Sequence, residues 1–260
     1  MNRRLKQEFA ARWDKYFPGA ELPVVFFYAD DPGPVQKAVV PQGHHCFIGD
    51  LAAVRRGTPL AFEASAVSCG GGKRYLGFEQ DLRPDFEYFL SYGIPGELEG
   101  ERYKKSPELV AEAMKHQPPF EAPARYLVAK RWDALEVGDE PFVVVFFAPP
   151  DVLSGLFTLA NFDEAEADGV RAPFGAGCSS IIYSPLQELR STNPKAILGM
   201  FDVSARPNVG PDILTFAVPW PKFLRMANNM DESFLITESW GKVRTRLRRS
   251  AGGGAQYFNQ

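Results

Sequence analysis

Pro23-Val24-Val25-Phe26-Phe27-Tyr28 is an unbroken run of β-branched and aromatic residues, opened by a proline and followed by an acidic loop. A run that is apolar at every position, not every second one, reads as a strand buried on both faces. Its centre recurs, Val24-Val25-Phe26-Phe27 matching Val144-Val145-Phe146-Phe147. Each copy follows a proline and leads into an acidic loop containing proline: Asp30-Asp31-Pro32 in one, Pro149-Pro150-Asp151 in the other. Downstream of each comes a cysteine beside glycines, Cys69-Gly70-Gly71-Gly72 and Gly175-Ala176-Gly177-Cys178. This order predicts an α/β or α+β fold made of two diverged repeats of a mixed strand/helix unit, packed about a pseudo-twofold axis. The first repeat, with an N-terminal helix, covers 1–125; the second, with C-terminal helices, covers 126–260. Phe26 should then superpose on Phe146 and Cys69 on Cys178, with both cysteines near one cleft where the repeats meet.

The flanking sequence supplies the helices. Leu5, Phe9, Trp13 and Phe17 recur every fourth residue, the stripe of an amphipathic helix ended by Pro18-Gly19. Asp50 is the expected N-cap of a helix over 51–56, and Ser106-Pro107 opens another reaching about His116. Residues 60–67, 126–130, 141–147, 196–201 and 213–218 read as strands. Helices are expected at 86–92, at 152–161, along Phe223, Met226, Met230 and Phe234, and along Trp240, Val243 and Leu247. The glycine-rich tail 251–260 is expected to fray.

With 45% apolar residues, 23% charged residues and 21 Phe, the chain can build a large core. A net charge of −3 gives no footprint for a nucleic acid. No stretch reaches the roughly 20 apolar residues that a bilayer span needs, and the start lacks a signal-peptide pattern. The expected setting is the cytoplasm, with no membrane partner; self-association is left open. An odd cysteine count does not suit a stapled secreted domain, so the three thiols are read as free, metal-bound or redox groups.

Several separated segments, in order, resemble the DUF169 family. They are the run from Gly100 to Leu109 (Gly-Glu-Arg-Tyr-Lys-Lys-Ser-Pro-Glu-Leu), Cys69-Gly70-Gly71 followed by Tyr75-Leu76-Gly77, and Ala176-Gly177-Cys178-Ser179. Towards the C-terminus come Phe201-Asp202-Val203-Ser204-Ala205-Arg206, Phe216-Ala217-Val218-Pro219 and Glu232-Ser233-Phe234-Leu235. The resemblance spans about residues 20 to 240. It implies a cytosolic-type bacterial or archaeal protein whose domain is of unknown function, and it carries over no catalytic residue.

Three groups could carry chemistry. Cys46, Cys69 and Cys178, with His44 and His45 beside Cys46, offer the thiolate and imidazole donors that suit zinc, copper or an iron–sulfur cluster. No CxxC pair is present, so the ligands would converge from separate loops; the alternatives are a reactive thiol or simple packing. Gly70, Gly71 and Gly72 could present backbone N–H groups to an anion, with Lys73 and Arg74 adding charge, or form a tight turn that needs positive φ. Neither a P-loop nor GxGxxG spacing is present. In an extended segment Asp202, Ser204 and Arg206 would share one side, where Arg206 could hold a carboxylate or phosphate or close a structural ion pair.

The leading reading is a protein that binds a small molecule or cofactor between its halves. The rival is a thiol- or metal-dependent redox enzyme using Cys69 and Cys178. A pure interaction protein would instead show an exposed apolar patch and no deep pocket.

Overall fold

The computed structural model describes residues 1–253. The chain opens with α1 (Arg3–Tyr16), capped by the Asn2 side chain on the Leu5 N–H; Phe9, Trp13 and Phe17 are buried as the spacing predicts, and Tyr16 is buried beside them. Then come β1 (Val24–Ala29), β2 (Gln36–Lys37), α2 (Phe47–Arg55), β3 (Leu60–Phe62), α3 (Gly70–Tyr75) and α4 (Phe86–Phe89). A hairpin, β4 (Gly93–Ile94) and β5 (Leu98–Glu99), precedes α5 (Pro107–Lys115) and β6 (Tyr126–Arg131). The remainder is β7 (Val143–Ala148), α6 (Pro150–Ala160), β8 (Val170–Arg171), a π-helical turn (Ser179–Tyr183) running into α7 (Ser184–Glu188), β9 (Ala196–Gly199), β10 (Leu214–Pro219), α8 (Trp220–Asn229) and α9 (Glu238–Gly253). Of the tail expected to fray, 251–253 are helical, and 254–260 lie outside the described residues.

Eight strands form one mixed sheet in the order β2-β3-β6-β1-β7-β10-β9-β8. Outward from the central β1–β7 pair, both sides follow the same plan. An antiparallel neighbour (β6 or β10) is followed by a second antiparallel strand (β3 or β9), and a short parallel strand closes each edge (β2 or β8). β6, which a division at 125/126 assigns to the second half, lies between β3 and β1.

Both faces of the sheet are covered, which is why its central strands are apolar throughout. Val25, Phe27, Val144, Phe146, Phe216 and Val218 point into one core, where Phe9, Trp13, Leu156, Phe223 and Trp240 bring helices α1, α6, α8 and α9 against the sheet. Val24, Phe26, Val143, Val145 and Ala217 point into the other, under α2, α3 and the π turn.

This alternation corrects the sequence match. Val24 and Phe26 face one core, whereas Val144 and Phe146 face the other. A strand slipped by one residue turns every side chain over, so Phe26 does not correspond to Phe146. The two sides coincide when Val24–Ala29 is laid on Val143–Ala148 and Tyr126–Arg131 on Leu214–Pro219, since Val24 pairs with Arg131 as Val143 pairs with Pro219. Phe27 then falls on Phe146. Cys69 and Cys178 are not equivalent either. Cys178 lies in the connection from β8 to β9, whose counterpart from β2 to β3 carries Cys46; Cys69 follows β3.

Candidate functional site

All three cysteines stand at the head of a helical segment: Cys46 before α2, Cys69 before α3, Cys178 before the π turn. Asp50, the expected cap of α2, lies in its first turn instead, because the helix begins at Phe47. There its carboxylate meets the His45 Nδ1 at 2.7 Å. The run Gly70-Gly71-Gly72, expected as an anion-binding loop or a turn of positive φ, is the first turn of α3, and none of the three has positive φ. The Cys69 Sγ accepts the Gly72 N–H at 3.5 Å, closing that helix end.

These heads are tied together by contacts beside the cysteines. The His45 N–H donates to the Ser68 Oγ at 2.8 Å, and that hydroxyl donates to the His45 carbonyl at 3.4 Å, fastening the residue before Cys46 to the residue before Cys69. At Gly72 an added Cβ would press on Val67 at 2.9 Å and meet the Phe47 Cβ at an ordinary 3.7 Å, so α3 is close-set against the segment that precedes it. Gly177, beside Cys178, is equally close-set: its Cβ would lie 3.0 Å from Ala205 and 3.1 Å from Ile48. The Gly177 N–H donates to the Asp202 Oδ2 at 3.0 Å.

Asp202 binds the loops from below. Its Oδ1 accepts the Tyr103 hydroxyl at 2.9 Å, and the Ser204 N–H at 3.1 Å and hydroxyl at 2.9 Å. The segment expected to be extended through Asp202, Ser204 and Arg206 is therefore a tight turn around a buried carboxylate, entered through Met200 at φ 72°. Arg206 directs its guanidinium to the carbonyls of Gly210, Pro211 and Ile213, and Arg74 to those of Gln80 and Gln117. Both are structural clasps in this arrangement. Lys73 reaches Glu79 at 4.0 Å, and His44 is exposed.

Cys46 and Cys69 are half-buried and Cys178 is buried; none is in a disulfide. Burial pushes the Cys46 thiol up, against the pull of the Ile48 and Gly49 N–H groups, and the Cys69 thiol and Asp202 carboxylate push it further. Burial likewise drives the Cys178 thiol well above the ordinary range, reinforced by Cys69, Cys46 and Asp202. Among the described residues no group of three or more His, Cys, Asp or Glu side chains is disposed to hold a metal ion.

A model of the family DUF169, an uncharacterised ArCR, matches residues 20–229. The chain belongs to the DUF169 family. The match runs from before β1 to the end of α8 and contains all three cysteines, Tyr103 and Asp202. No curated protein and no solved structure matches the chain. Among the described residues of this DUF169 protein, no helix is long and apolar enough to cross a membrane. A surface concavity of about 580 Å³ along the β4–β5 hairpin, lined by Tyr92, Ile94, Leu98 and Arg102, includes none of the cysteines. Sequence reasoning missed Ser68 and Tyr103 as organisers of the site. Tyr103 sits inside the Gly100 to Leu109 segment that carries the family resemblance, and that was the available signal.

Proposed function

We propose that this protein binds a small thiol-seeking molecule or cofactor where Cys46, Cys69 and Cys178 meet, with Cys69 as the thiol that engages it. What supports the reading is that three cysteines from three separate connections each stand at the head of a helical segment. The residues beside them are held by the His45–Ser68 and Gly177–Asp202 hydrogen bonds. Each half of the mirrored sheet supplies two members, Cys46 and Cys69 from one, Cys178 and Asp202 from the other. In this reading the halves are diverged copies that meet between 131 and 143, and the site lies on the sheet face over their shared β1–β7 ladder. Their match is one of strand order and pairing, not of the four-residue repeat.

Cys69 is the engaging thiol in this reading because it is half-buried at the head of α3, where its Sγ accepts the Gly72 N–H. A nucleophilic or ligating cysteine acts as its thiolate, and both Cys46 and Cys178 are pushed towards the neutral thiol. A bound group that compensates thiolate charge would release protons from all three.

Protein purified without oxygen tests the reading by native mass spectrometry, metal analysis and absorbance. The expected result is a bound mass or chromophore in the wild type that is lost in Cys69→Ser, with the fold retained. A ligand held equally by wild type and Cys69→Ser would overturn the assignment.

A further inference from the structure

The concavity of about 580 Å³ along the β4–β5 hairpin is of the size that holds a small molecule. Its floor is apolar. Ile94 and Leu98 stand directly opposite each other in the ladder, and Tyr92, two residues before Ile94, lines the same hollow. The exposed Tyr92 ring is braced by Tyr88, edge to face at 74° with centroids 6.1 Å apart. The hairpin is also stiff at its base. At Gly93, φ 79°, an added Cβ would stand 2.6 Å from the Gly100 N, so the strands approach where a side chain has no room. The residues that follow are strapped to the chain leaving α4. The Glu101, Arg102 and Lys104 N–H groups donate to the carbonyls of Phe89, Ser91 and Leu90 at 2.7, 2.9 and 3.0 Å.

Arg102 stands out in this frame. Its φ of 56° lies in the left-handed region, which glycine enters freely and a side chain does not. An arginine at a position that suits glycine points to work for its side chain. Arg125 and Arg131 pair with Glu63 and Asp133, and Arg206 clasps carbonyls. Among the described residues the Arg102 guanidinium has no such partner, and it lines the hollow. Glu97 and Glu99 line it too, so both signs of charge surround the apolar floor.

We propose that the β4–β5 hairpin is a second binding site, which takes a small apolar zwitterion of the size of a dipeptide. The carboxylate lies in the fork of the Arg102 guanidinium, the apolar body on Tyr92, Ile94 and Leu98, and the ammonium beside Glu97 and Glu99. The stiff base means that little chain has to be ordered on binding. The site shares no residue with the cysteines and does not depend on them.

The dipeptide leucyl-phenylalanine, with both termini free, is the probe, and calorimetric titration reads its affinity. Its C-terminal amide lacks the carboxylate, and its N-acetyl form lacks the ammonium. Amidation is expected to weaken binding to wild type about tenfold. Acetylation should weaken it about two- to fivefold, since Glu97 and Glu99 are exposed. Arg102→Gly should lose as much affinity for the free dipeptide as amidation costs, and bind the amide as wild type does. It should melt no lower than wild type, because glycine relieves the left-handed backbone. Arg102→Gln should lose the same affinity without changing the backbone. Cys69→Ser should bind the dipeptide as wild type does, which separates this result from the fate of the cysteine reading. A wild type that takes up no dipeptide at millimolar concentration, or binds the free and amidated forms alike, would overturn the site. So would undiminished affinity in both Arg102 variants, or an Arg102→Gly that melts below wild type, which would make the guanidinium a structural group.

Discussion

Gly71 and Gly72 are adjacent in α3 and stand in opposite surroundings. The only atom that a Cβ at Gly71 would meet is the Cys69 Sγ, at 3.9 Å, whereas at Gly72 it would press on Val67 at 2.9 Å. Gly71→Ala should therefore stabilise the fold by about 0.5–1 kcal/mol, because alanine loses less backbone entropy in a helix. Gly72→Ala should destabilise it by about 1–3 kcal/mol through overpacking. Urea denaturation of both variants checks the pair, and equal effects would mean that Val67 does not crowd Gly72 as described. The same residues show why the site was only half legible. Three consecutive glycines argue for a loop on propensity, yet here tertiary packing decides, since an added Cβ at Gly72 would press on Val67. The trio of cysteines was visible in the sequence. Their ties were not, because a hydrogen bond from His45 to Ser68 leaves no pattern in spacing. Asp50 misled in the other direction: it has the chemistry of a cap, but its side chain is turned to His45.

At the scale of elements, two charge clusters tie helices to neighbouring segments, one around the buried Lys222 and one around the exposed Asp231. Lys222 of α8 is fully buried and reaches the Glu164 Oε1 at 2.8 Å, which Arg225 also reaches at 2.9 Å, while Asn193 donates to the Oε2 at 2.6 Å. Burial works against the Glu164 charge, but the hydrogen bonds from Lys222 and Asn193 outweigh it and hold the carboxyl at about 2. Asp231, beyond α8, is held at about 2 by the hydroxyl of Tyr16 and the ammonium of Lys15, with Arg12 adding to them. Both values lie below those of an unfolded chain, so the stability they contribute is complete above the unfolded pKa of each. It drains as pH falls from there towards about 2. Melting temperature should therefore fall steeply below about pH 4.5, and less steeply in Glu164→Gln. That variant should already be destabilised at neutral pH by about 3–5 kcal/mol, because it strands Lys222 without a full counter-charge. An unchanged acid profile in Glu164→Gln would contradict this role. The elements themselves were largely readable, since α1, α5, α6 and α8 carry periodicity or caps and β1, β7 and β10 are apolar runs. The ion cluster was not readable, because Glu164, Asn193 and Lys222 come from distant loops and a helix.

Across the whole molecule, the two sides of the sheet share a plan and depend on one another. β1 pairs with β7 at Val24–Val145, Val25–Val144 and Phe26–Val143, so cutting the chain leaves two open apolar edges. A fragment ending between β6 and β7 should show no cooperative melt by itself, and co-expression of both fragments should restore one; independent folding of either would refute the shared core. The order of elements shared by the two sides was legible, whereas their register was not, because apolar runs buried on both faces carry no alternation to fix the phase. This is how a four-residue identity came to align residues that face opposite cores. The site that the halves build rests on the accessibility of one thiol. Native protein should be treated with iodoacetamide at neutral pH, and the modified cysteines located by mass spectrometry. The account predicts that Cys69 labels first, Cys46 more slowly because its thiol is pushed up, and Cys178 only once the protein is unfolded. A Cys69 that stays unlabelled until unfolding would contradict it.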